Sequence, residues 1–415
     1  MRITAPVATV GVVALAALAG CSGGSSGTSS SDGVVELSML AGFTGDDRAA
    51  YEGLVDTFNE THDDIHVTLE IEPWDSIAQT LPTAWATGQG ADIAALSSDP
   101  NVVADYLDTG SLLALDQVGD GEDEIDVDAL YADAVDAFTS DGTLYAVPAN
   151  VATLQLYYNK ALFEAAGVEV PTTVEELQQA ARDLTSDGVY GLSLAESDTI
   201  AMWPVLQWLE GADIVDDDGC SVLDSDASIA SLTSWQDLVL DGAAPVGLTG
   251  AESDSLFSAG KAAMQINGPW AAAGYTDAGI DLGVASIPTG VDGDVTLASI
   301  VPMAVSASTE HPEEAQEFLA WWTGVDAQKQ FALASGYPTV RTDLADDPDL
   351  LADPTVSAFV AALPSARLYL SGVTQATKVD SEGFVPMIGE ITRGGDVADS
   401  VAKATETIDA LTGCA

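Results

Sequence analysis

Residues 34–96 decide the fold, and they read VVELSMLAGFTGDDRAAYEGLVDTFNETHDDIHVTLEIEPWDSIAQTLPTAWATGQGADIAAL. Apolar residues alternate with polar ones over residues 34–40 and again over 65–71, which predicts two strands. Between them, residues 46–59 carry apolar side chains at helical spacing. Residues 75–87 predict a second helix that ends at Gly88, and 92–96 predict a short buried strand. The order strand, helix, strand, helix, strand is typical of a doubly wound α/β sheet.

The same two patterns return along the rest of the chain. They predict strands at 190–194, 262–266, 281–287 and 300–305, and helices at 199–209, 227–240, 254–259, 312–322, 326–334, 355–363 and 396–411. We therefore expect two α/β bodies with several connections between them, which also suits the length of the chain. Ligands of such folds bind beyond the carboxyl ends of strands, and two bodies offer a cleft between them.

The N-terminal segment carries the pattern of a lipoprotein. An apolar run follows Arg2 and closes on Leu18-Ala19-Gly20-Cys21, where a signal peptide over residues 1–20 would be cut before an acylated Cys21. Residues 21–33 are then a flexible Ser/Gly tether. One or two acyl chains would hold the body at the extracytoplasmic face of the cell membrane without spanning it. A membrane span is the alternative, but the run is short for about 30 Å of hydrocarbon.

The charge balance is strongly acidic, with 66 Asp and Glu against 11 Lys and Arg and a formal net charge of -55. Such a surface repels phosphates, so nucleic acid and anionic lipid are poor partners. It could attract polyamines, although scattered acids favour a solvated surface suited to a salty habitat. The acidic run at 120–128 lacks the spacing of a calcium loop, and three histidines with no clustered cysteine give no zinc site. We expect no metal and no cofactor.

Two cysteines remain after lipidation of Cys21. Cys220 lies in an acidic loop and Cys414 is the penultimate residue. Disulfides persist in exported proteins, so we expect these two to pair, with two free thiols as the alternative.

A group of short motifs resembles the extracellular solute-binding proteins of sugar importers. The central one is Tyr157-Tyr158-Asn159-Lys160-Ala161-Leu162-Phe163. The others are YAVP at 145–148, PTTVEEL at 171–177, TGQGAD at 87–92, FSAGKAAM at 257–264, NGPW at 267–270, PEEAQEFL at 312–319 and SGYP at 335–338. In their order and spacing they extend over nearly the whole mature chain.

The resemblance implies a type II periplasmic-binding-protein fold with two lobes joined by hinge crossings. Lobe 1 would comprise residues 34–150 and 300–340, and lobe 2 residues 151–299 and 341–415. A sugar would bind between the lobes, which close on it. The protein would then deliver it to the permease subunits of an ABC importer, as a monomer and without catalysis.

Sugars present hydroxyls and flat C–H faces, so aromatic rings, carboxylates and amides are their usual partners. Trp270 matches a family position whose ring stacks on sugar, and Asp99 matches an acid that binds hydroxyls, although Asp99 could also cap a helix begun by Pro100. The other candidates lie at predicted strand and helix ends or face the cleft by resemblance: Phe43, Asp46, Trp74, Ser98, Asn150, Trp203 and Tyr337.

Several of these assignments have alternatives. Asp46 could only cap a helix, and Trp74 could pack between the lobes. Arg367 and Tyr369 are weaker candidates, and we expect Trp208, Trp321, Trp322 and the pair Tyr157-Tyr158 to serve packing. Ala152 stands where maltose-binding members carry a ligand-contacting Glu, which puts maltodextrin specificity in doubt.

Two other functions remain open on the sequence. A binder of another solute, such as a polyamine or a peptide, would use the same fold, aromatics and acids. A glycoside hydrolase needs two carboxylates, which 66 acids cannot exclude. Outside the Ser/Gly tether the sequence contains no Gly-x-Ser-x-Gly motif, and it contains no phosphate loop, so we favour sugar binding without chemistry.

Overall fold

The computed structural model describes residues 33–99, 101–119, 121, 124–197 and 202–414. The predicted signal peptide, the lipidated Cys21 and the tether up to residue 32 therefore lie outside the described residues. The strands and helices that the structure describes belong to one compact unit that begins at Val35. No helix among the described residues is long and apolar enough to cross a bilayer.

The strands lie at the following positions in chain order. They are β1 Val35–Ala41, β2 Ile65–Ile71, β3 Ile93–Ala95, β4 Thr139–Ser140, β5 Thr143–Leu144, β6 Ala146–Thr153, β7 Gln155–Asn159, β8 Tyr190–Ser193, β9 Ala195–Ser197, β10 Leu248–Thr249, β11 Ala262–Asn267, β12 Leu282–Ala285, β13 Thr296–Val305 and β14 Ala366–Leu368.

The α-helices run between and after them. They are α1 Arg48–Thr61, α2 Trp74–Ala86, α3 Val102–Asp108, α4 Ala132–Ala137, α5 Lys160–Ala166, α6 Val174–Leu184, α7 Met202–Leu209, α8 Asp226–Leu240, α9 Gly250–Ser258, α10 Ala272–Asp277, α11 Pro312–Trp322, α12 Val325–Ser335, α13 Pro348–Ala352, α14 Pro354–Ala362, α15 Ala376–Lys378, α16 Val385–Thr392 and α17 Val397–Thr412. A π-helical turn, Val379–Phe384, joins α15 to α16.

Two main sheets carry the fold. In the first, the order is β14-β13-β3-β1-β2, with β6 also paired to β13. β1 is parallel to both β2 and β3, as the crossover helices α1 and α2 require. In the second sheet the order is β12-β7-β11-β8, and β8 and β11 are parallel neighbours. The predicted α/β class is confirmed, and the first three strands lie within about one residue of their predicted positions.

Two large hydrophobic cores accompany the sheets. The first core takes its buried side chains from residues 37–152 and 301–340. The second core takes them from residues 154–297 and 370–408. A smaller third cluster, built around Tyr157, Phe257 and Tyr275, lies on the other face of the second sheet, because Leu156 and Tyr157 point to opposite sides of β7.

A disulfide joins Cys220 to Cys414, with the two Cα atoms 5.5 Å apart. It links the last residues of the chain to the loop before α8. The backbone N–H of Ser221 also donates to Asp409 Oδ1 at 2.8 Å, so the end of α17 is held at this loop twice. The structure thus contains the expected disulfide and not two free thiols at these positions.

Candidate ligand-binding site

The carboxyl ends of the parallel strands β8 and β11 form one edge of the second sheet, and Trp270 follows β11 there. Residues Pro269–Ala271 make a single 3-10 turn that aims the indole back over Gly268. A Cβ on Gly268 would lie 2.0 Å from Trp270 Cζ3, so only glycine allows the ring this close. The hydroxyl of Tyr157 donates to the Gly268 carbonyl at 2.9 Å and fixes the turn.

Trp270 is half-buried and packs against the first core, the second core and the third cluster. An aromatic ring with this placement lies between the two cores. It also keeps part of its surface open, and a sugar or another flat apolar face can stack on such a surface.

A polar cluster around Asp254 lies beside Trp270. Asp254 Oδ1 accepts hydrogen bonds from Gln265 Nε2 at 2.7 Å, Asn267 Nδ2 at 2.7 Å and the Tyr275 hydroxyl at 3.0 Å. The second carboxylate oxygen of Asp254 accepts no hydrogen bond from a described residue. Burial raises the pKa of Asp254, the three hydrogen bonds oppose that shift, and the charge of Asp46 adds to it. Asp254 therefore offers one free acceptor in a cluster that includes Asn267 and Tyr275, the residues on either side of the Trp270 turn.

Asp46 reaches this cluster from the side of the first core. A Cβ on Gly274 would lie 1.8 Å from Asp46 Oδ2, so the carboxylate lies directly against the backbone of α10. Asp46 is exposed and makes no hydrogen bond or ion pair within the described residues. Its carboxylate is thus free to accept from a ligand.

On the first-core side, the floor of the site is buried, and its polar side chains form hydrogen bonds with one another. Phe43 stacks on Tyr51 with ring centroids 3.5 Å apart, and Asn150 donates its side-chain amide to the Tyr51 hydroxyl. Tyr337 donates its hydroxyl to Asp47 Oδ2 at 2.9 Å. Burial raises the pKa of Asp47 to about 6, the Tyr337 hydrogen bond lowers it, and the nearby Asp46 charge raises it slightly.

A second set of contacts bridges the two sides farther along the interface. Asp99 Oδ2 accepts from the Thr377 hydroxyl, and Asn101 Nδ2 donates to the Val373 carbonyl at 3.0 Å. Asp380, in the π-helical turn, accepts from the Tyr369 hydroxyl at 2.9 Å. Burial raises the pKa of Asp380, the Tyr369 hydrogen bond opposes that shift, and the charge of Asp99 adds to it. Across the interface, Asp46 therefore faces Asp254, and Asp99 faces Asp380.

The predicted site residues fall into three groups. Asp46, Trp74, Ser98, Asp99 and Trp270 keep exposed or half-exposed side chains. Phe43, Asn150 and Tyr337 are buried and form the floor, where the polar groups of the last two are already paired. The structure corrects the prediction for Trp203, which is 5% exposed in the second core. Its indole donates to the Ala195 carbonyl at 2.9 Å, so it offers no surface to a ligand.

Trp74 lies with its ring over Gly42, where a Cβ would be 2.0 Å from Cδ2, and it meets the Phe43 ring edge-on at 5.2 Å. It is half-buried, so the same ring both packs on the first core and presents surface. Asp99 Oδ1 also accepts from the Asn101 backbone N–H at 2.9 Å, two residues along the chain. The following helix, α3, begins at Val102 with Asn101 as its N-cap, so the alternative role of Asp99 as a helix cap is wrong.

Sequence reasoning missed Asp254 and Asp380 at this interface, and it also missed Arg393, which pairs with Glu196. No local signal distinguishes Asp254 and Asp380 from the other acids. Arg393 had a usable signal, since cations are scarce and it lies in the Gly-rich ending Thr392-Arg393-Gly394-Gly395.

Comparison with known proteins gives the family. The sequence profile of the bacterial extracellular solute-binding proteins matches residues 44–329. A maltotriose-binding protein of Pyrococcus abyssi is 25% identical over 77% of this chain and 69% of its own length. A galactooligosaccharide-binding protein of Bacillus subtilis is 26% identical over 74% of each chain.

Among solved structures, the GacH receptor of Streptomyces glaucescens, which was studied unliganded and with acarbose, superposes with a TM-score of 0.80. It is 26% identical, and the match covers 92% of this chain and 99% of the receptor. A superposition of this extent includes both sheets, so the two proteins share their fold. This protein belongs to the bacterial extracellular solute-binding protein family.

Proposed function

We propose that this protein captures a saccharide between its two cores and delivers it to an ABC importer. The observation that carries the proposal is the half-buried ring of Trp270, which packs against both cores and the third cluster. Near it in the chain, the Asp46 carboxylate lies against Gly274, and Asp254, which binds Asn267, keeps one carboxylate oxygen free. A flat apolar surface flanked by acceptors suits the C–H faces and hydroxyls of a sugar.

We infer that the two cores are the centres of two lobes, with lobe 1 over residues 34–150 and 300–340 and lobe 2 over 151–299 and 341–415. The contacts Asp99–Thr377 and Asn101–Val373 would form as the lobes close. Ligand binding then shifts the population to the closed arrangement, because only that arrangement brings both sets of side chains to the sugar.

The relatives favour a saccharide of more than one unit. Two of them are named for binding maltotriose and galactooligosaccharides, and the GacH receptor was solved with acarbose and an acarbose homolog. We propose an oligosaccharide as the class of ligand, held without turnover. Because Ala152 replaces a ligand-contacting Glu of maltose-binding members, the glucose-based series is only one of the classes to be screened.

We also propose that the body is monomeric and anchored at the extracytoplasmic face of the cell membrane through acylated Cys21. The Leu-Ala-Gly-Cys motif at 18–21 and the Ser/Gly tether support this. An anchor of one or two acyl chains keeps the binding protein near its permease, while the tether leaves the two lobes free to move.

A thermal-shift screen of residues 32–415 tests the function. The panel holds mono-, di- and trisaccharides built from glucose, galactose, xylose and N-acetylglucosamine, together with spermidine. A ligand at 100 times its Kd should stabilise the protein by about 2.7 kcal/mol, which is a measurable shift in Tm. Stabilisation by at least one saccharide is the expected result, and no shift with any saccharide would contradict the proposal.

Trp270→Ala should weaken saccharide binding by about 1–3 kcal/mol, or roughly 5- to 150-fold in Kd, because it removes the stacking surface. Calorimetric titration measures the change. Trp321→Ala is the matched control, since Trp321 is also half-buried but packs on Phe58 of the first core. If the control weakens binding as much as Trp270→Ala, or if neither variant does, Trp270 is not part of the site.

A polyamine is the second candidate ligand, and one observation favours it. The carboxylates of Asp46, Asp99, Asp254 and Asp380 meet across the interface, and within the described residues none of them forms an ion pair with Lys or Arg. A dication would relieve that repulsion. Stabilisation by spermidine alone would retain the binding-protein fold and overturn the sugar assignment.

A further inference from the structure

A groove of about 770 Å³ lies among the segments that build the second core, and its volume is within the range of about 300–1,000 Å³ found for ligand pockets. Its walls are the end of β9, Glu196 and Ser197, and the first turn of α16 with Val385 and Pro386. Arg393 lies at its rim, with 58% of its side chain exposed. The groove was not among the sites expected from the sequence.

The structure holds Arg393 in one orientation. Its Nη2 donates to Glu196 Oε2 at 3.0 Å, and its Nη1 donates to the Gly389 carbonyl at 2.5 Å. Glu196 is itself almost fully buried, and its other oxygen accepts from the Gly247 backbone N–H at 2.7 Å. A buried carboxylate is costly without a cation, so Glu196 holds the guanidinium firmly.

Two glycines leave room for the guanidinium. A Cβ on Gly389 would lie 2.7 Å from Arg393 Nη1, and one on Gly247 would lie 3.2 Å from Nη2. Gly247 also has a φ of +72°, a backbone conformation that disfavours other residues. The local sequence is therefore adapted to this placement of Arg393.

The groove offers donors that no described residue uses. A guanidinium carries five N–H groups, and the two hydrogen bonds above leave the rest of them open to the groove. The Ser197 hydroxyl makes no hydrogen bond to a described residue either. The one other carboxylate of the groove wall, Glu390, is paired with Lys403 Nζ at 2.9 Å. Free donors beside the apolar side chains of α16 suit a ligand that presents acceptor oxygens.

The groove and Trp270 lie at the same edge of the second sheet. Ser193 of β8 and Gln265 of β11 are register partners in parallel strands, so the residues that follow each strand emerge side by side. Glu196 and Ser197 follow β8, and Trp270 follows β11. Asp254 connects the groove side of this edge to the Trp270 side. It lies on α9, the helix directly after β10, and β10 pairs with β9. On the other side, Asp254 binds Gln265 and Asn267 of β11.

We propose that this groove is a second saccharide subsite, in which Arg393, held by Glu196, donates hydrogen bonds to a sugar unit next to the one on Trp270. Arg393 is thus a specificity residue that makes the protein prefer oligosaccharides to monosaccharides. This inference rests on the proposed function, since it concerns the extent of the same binding site.

The test compares Kd values along series of one, two and three sugar units, by calorimetry on residues 32–415. The probes are the glucose, galactose, xylose and N-acetylglucosamine series. Arg393→Met removes the donors and keeps an unbranched side chain. Because it leaves Glu196 without its cation, the double variant Glu196→Gln/Arg393→Met is measured beside it. Arg182→Met is the control, since it breaks an ion pair with Asp241 at 3.1 Å outside the groove.

We expect the wild type to bind its trisaccharide at least about tenfold tighter than the monosaccharide, because a charge-assisted hydrogen bond has about this effect on affinity. Both groove variants should lose most of that gain. Monosaccharide binding should stay within about twofold in all variants, since a single unit on Trp270 does not reach the donors of the groove. An undiminished gain with length in the double variant would overturn the subsite and leave the proposed function intact. Failure of every saccharide to bind the wild type would instead refute the proposed function, and the subsite with it.

Discussion

Removal of the disulfide between Cys220 and Cys414 should lower the free energy of unfolding by about 5 kcal/mol. The two cysteines are 194 residues apart, so the bond closes almost half of the chain into one loop of the unfolded state. The entropy that such a cross-link removes from the unfolded state grows with the logarithm of loop length and reaches about 4.7 kcal/mol for roughly 100 residues.

The folded state should change little in the double variant Cys220→Ser/Cys414→Ser. α17 keeps Val401 and Ile408 buried in the second core, and the Ser221–Asp409 hydrogen bond remains. Urea unfolding, followed by circular dichroism, compares the oxidised wild type with the variant. Dithiothreitol should shift the wild-type midpoint and leave that of the variant unmoved. Equal midpoints for the wild type and the variant without reductant would rule out this stabilising role.

Asp47→Asn should stabilise the protein at pH 8 by about 3 kcal/mol and change its stability little at pH 4. Burial raises the pKa of Asp47 to about 6 from an ordinary value of 3.8. At a pH between these two pKa values, the Asp47 side chain keeps its proton in the folded protein and has lost it in the unfolded chain. Wild-type stability therefore falls by about 1.4 kcal/mol for each pH unit of this window, and the loss is complete above it.

The amide of the variant carries no charge to bury, and its oxygen can still accept from the Tyr337 hydroxyl. Asp56→Asn is the control, because Asp56 is an exposed acid on α1, the helix that Asp47 precedes. Unfolding free energies from urea titrations between pH 4 and pH 8 give the profile. A stability difference that is independent of pH, or a variant less stable than wild type at pH 8, would show that Asp47 is not a buried charge.

The sequence carried the information for the sheets because their signal is local. Alternation at 34–40 and 65–71 and the helical spacing between them place β1, α1 and β2 directly. The disulfide could also be expected, since a lipidated Cys21 would leave only two cysteines. Motif order then supplied the family, which the match over residues 44–329 confirms.

The details of the site depend on contacts between distant segments, which no local pattern records. Asp99 and Thr377 are 278 residues apart, and Glu196 and Arg393 are 197 apart. Trp203 shows the converse error. Its Met-Trp-Pro context suits a cleft residue as well as a core residue. Its burial, and the hydrogen bond from its indole N–H to a backbone carbonyl, show that it is a core residue.

The π-helical turn that carries Asp380 was also missed. Its sequence, Val379–Phe384, breaks the helical spacing of apolar residues with three polar residues and a glycine. Such turns are rare and often lie at functional sites, where local sequence preference is a poor guide.

A calorimetric titration of the saccharide panel into residues 32–415 tests most directly whether a sugar binds between the two cores. We expect saturable binding of an oligosaccharide with one site per chain, and recovery of the saccharide unchanged after incubation. Absence of saturable heat with every saccharide would contradict a sugar site at Trp270. Conversion of the saccharide to products would show that the carboxylates around Trp270 perform chemistry rather than binding alone.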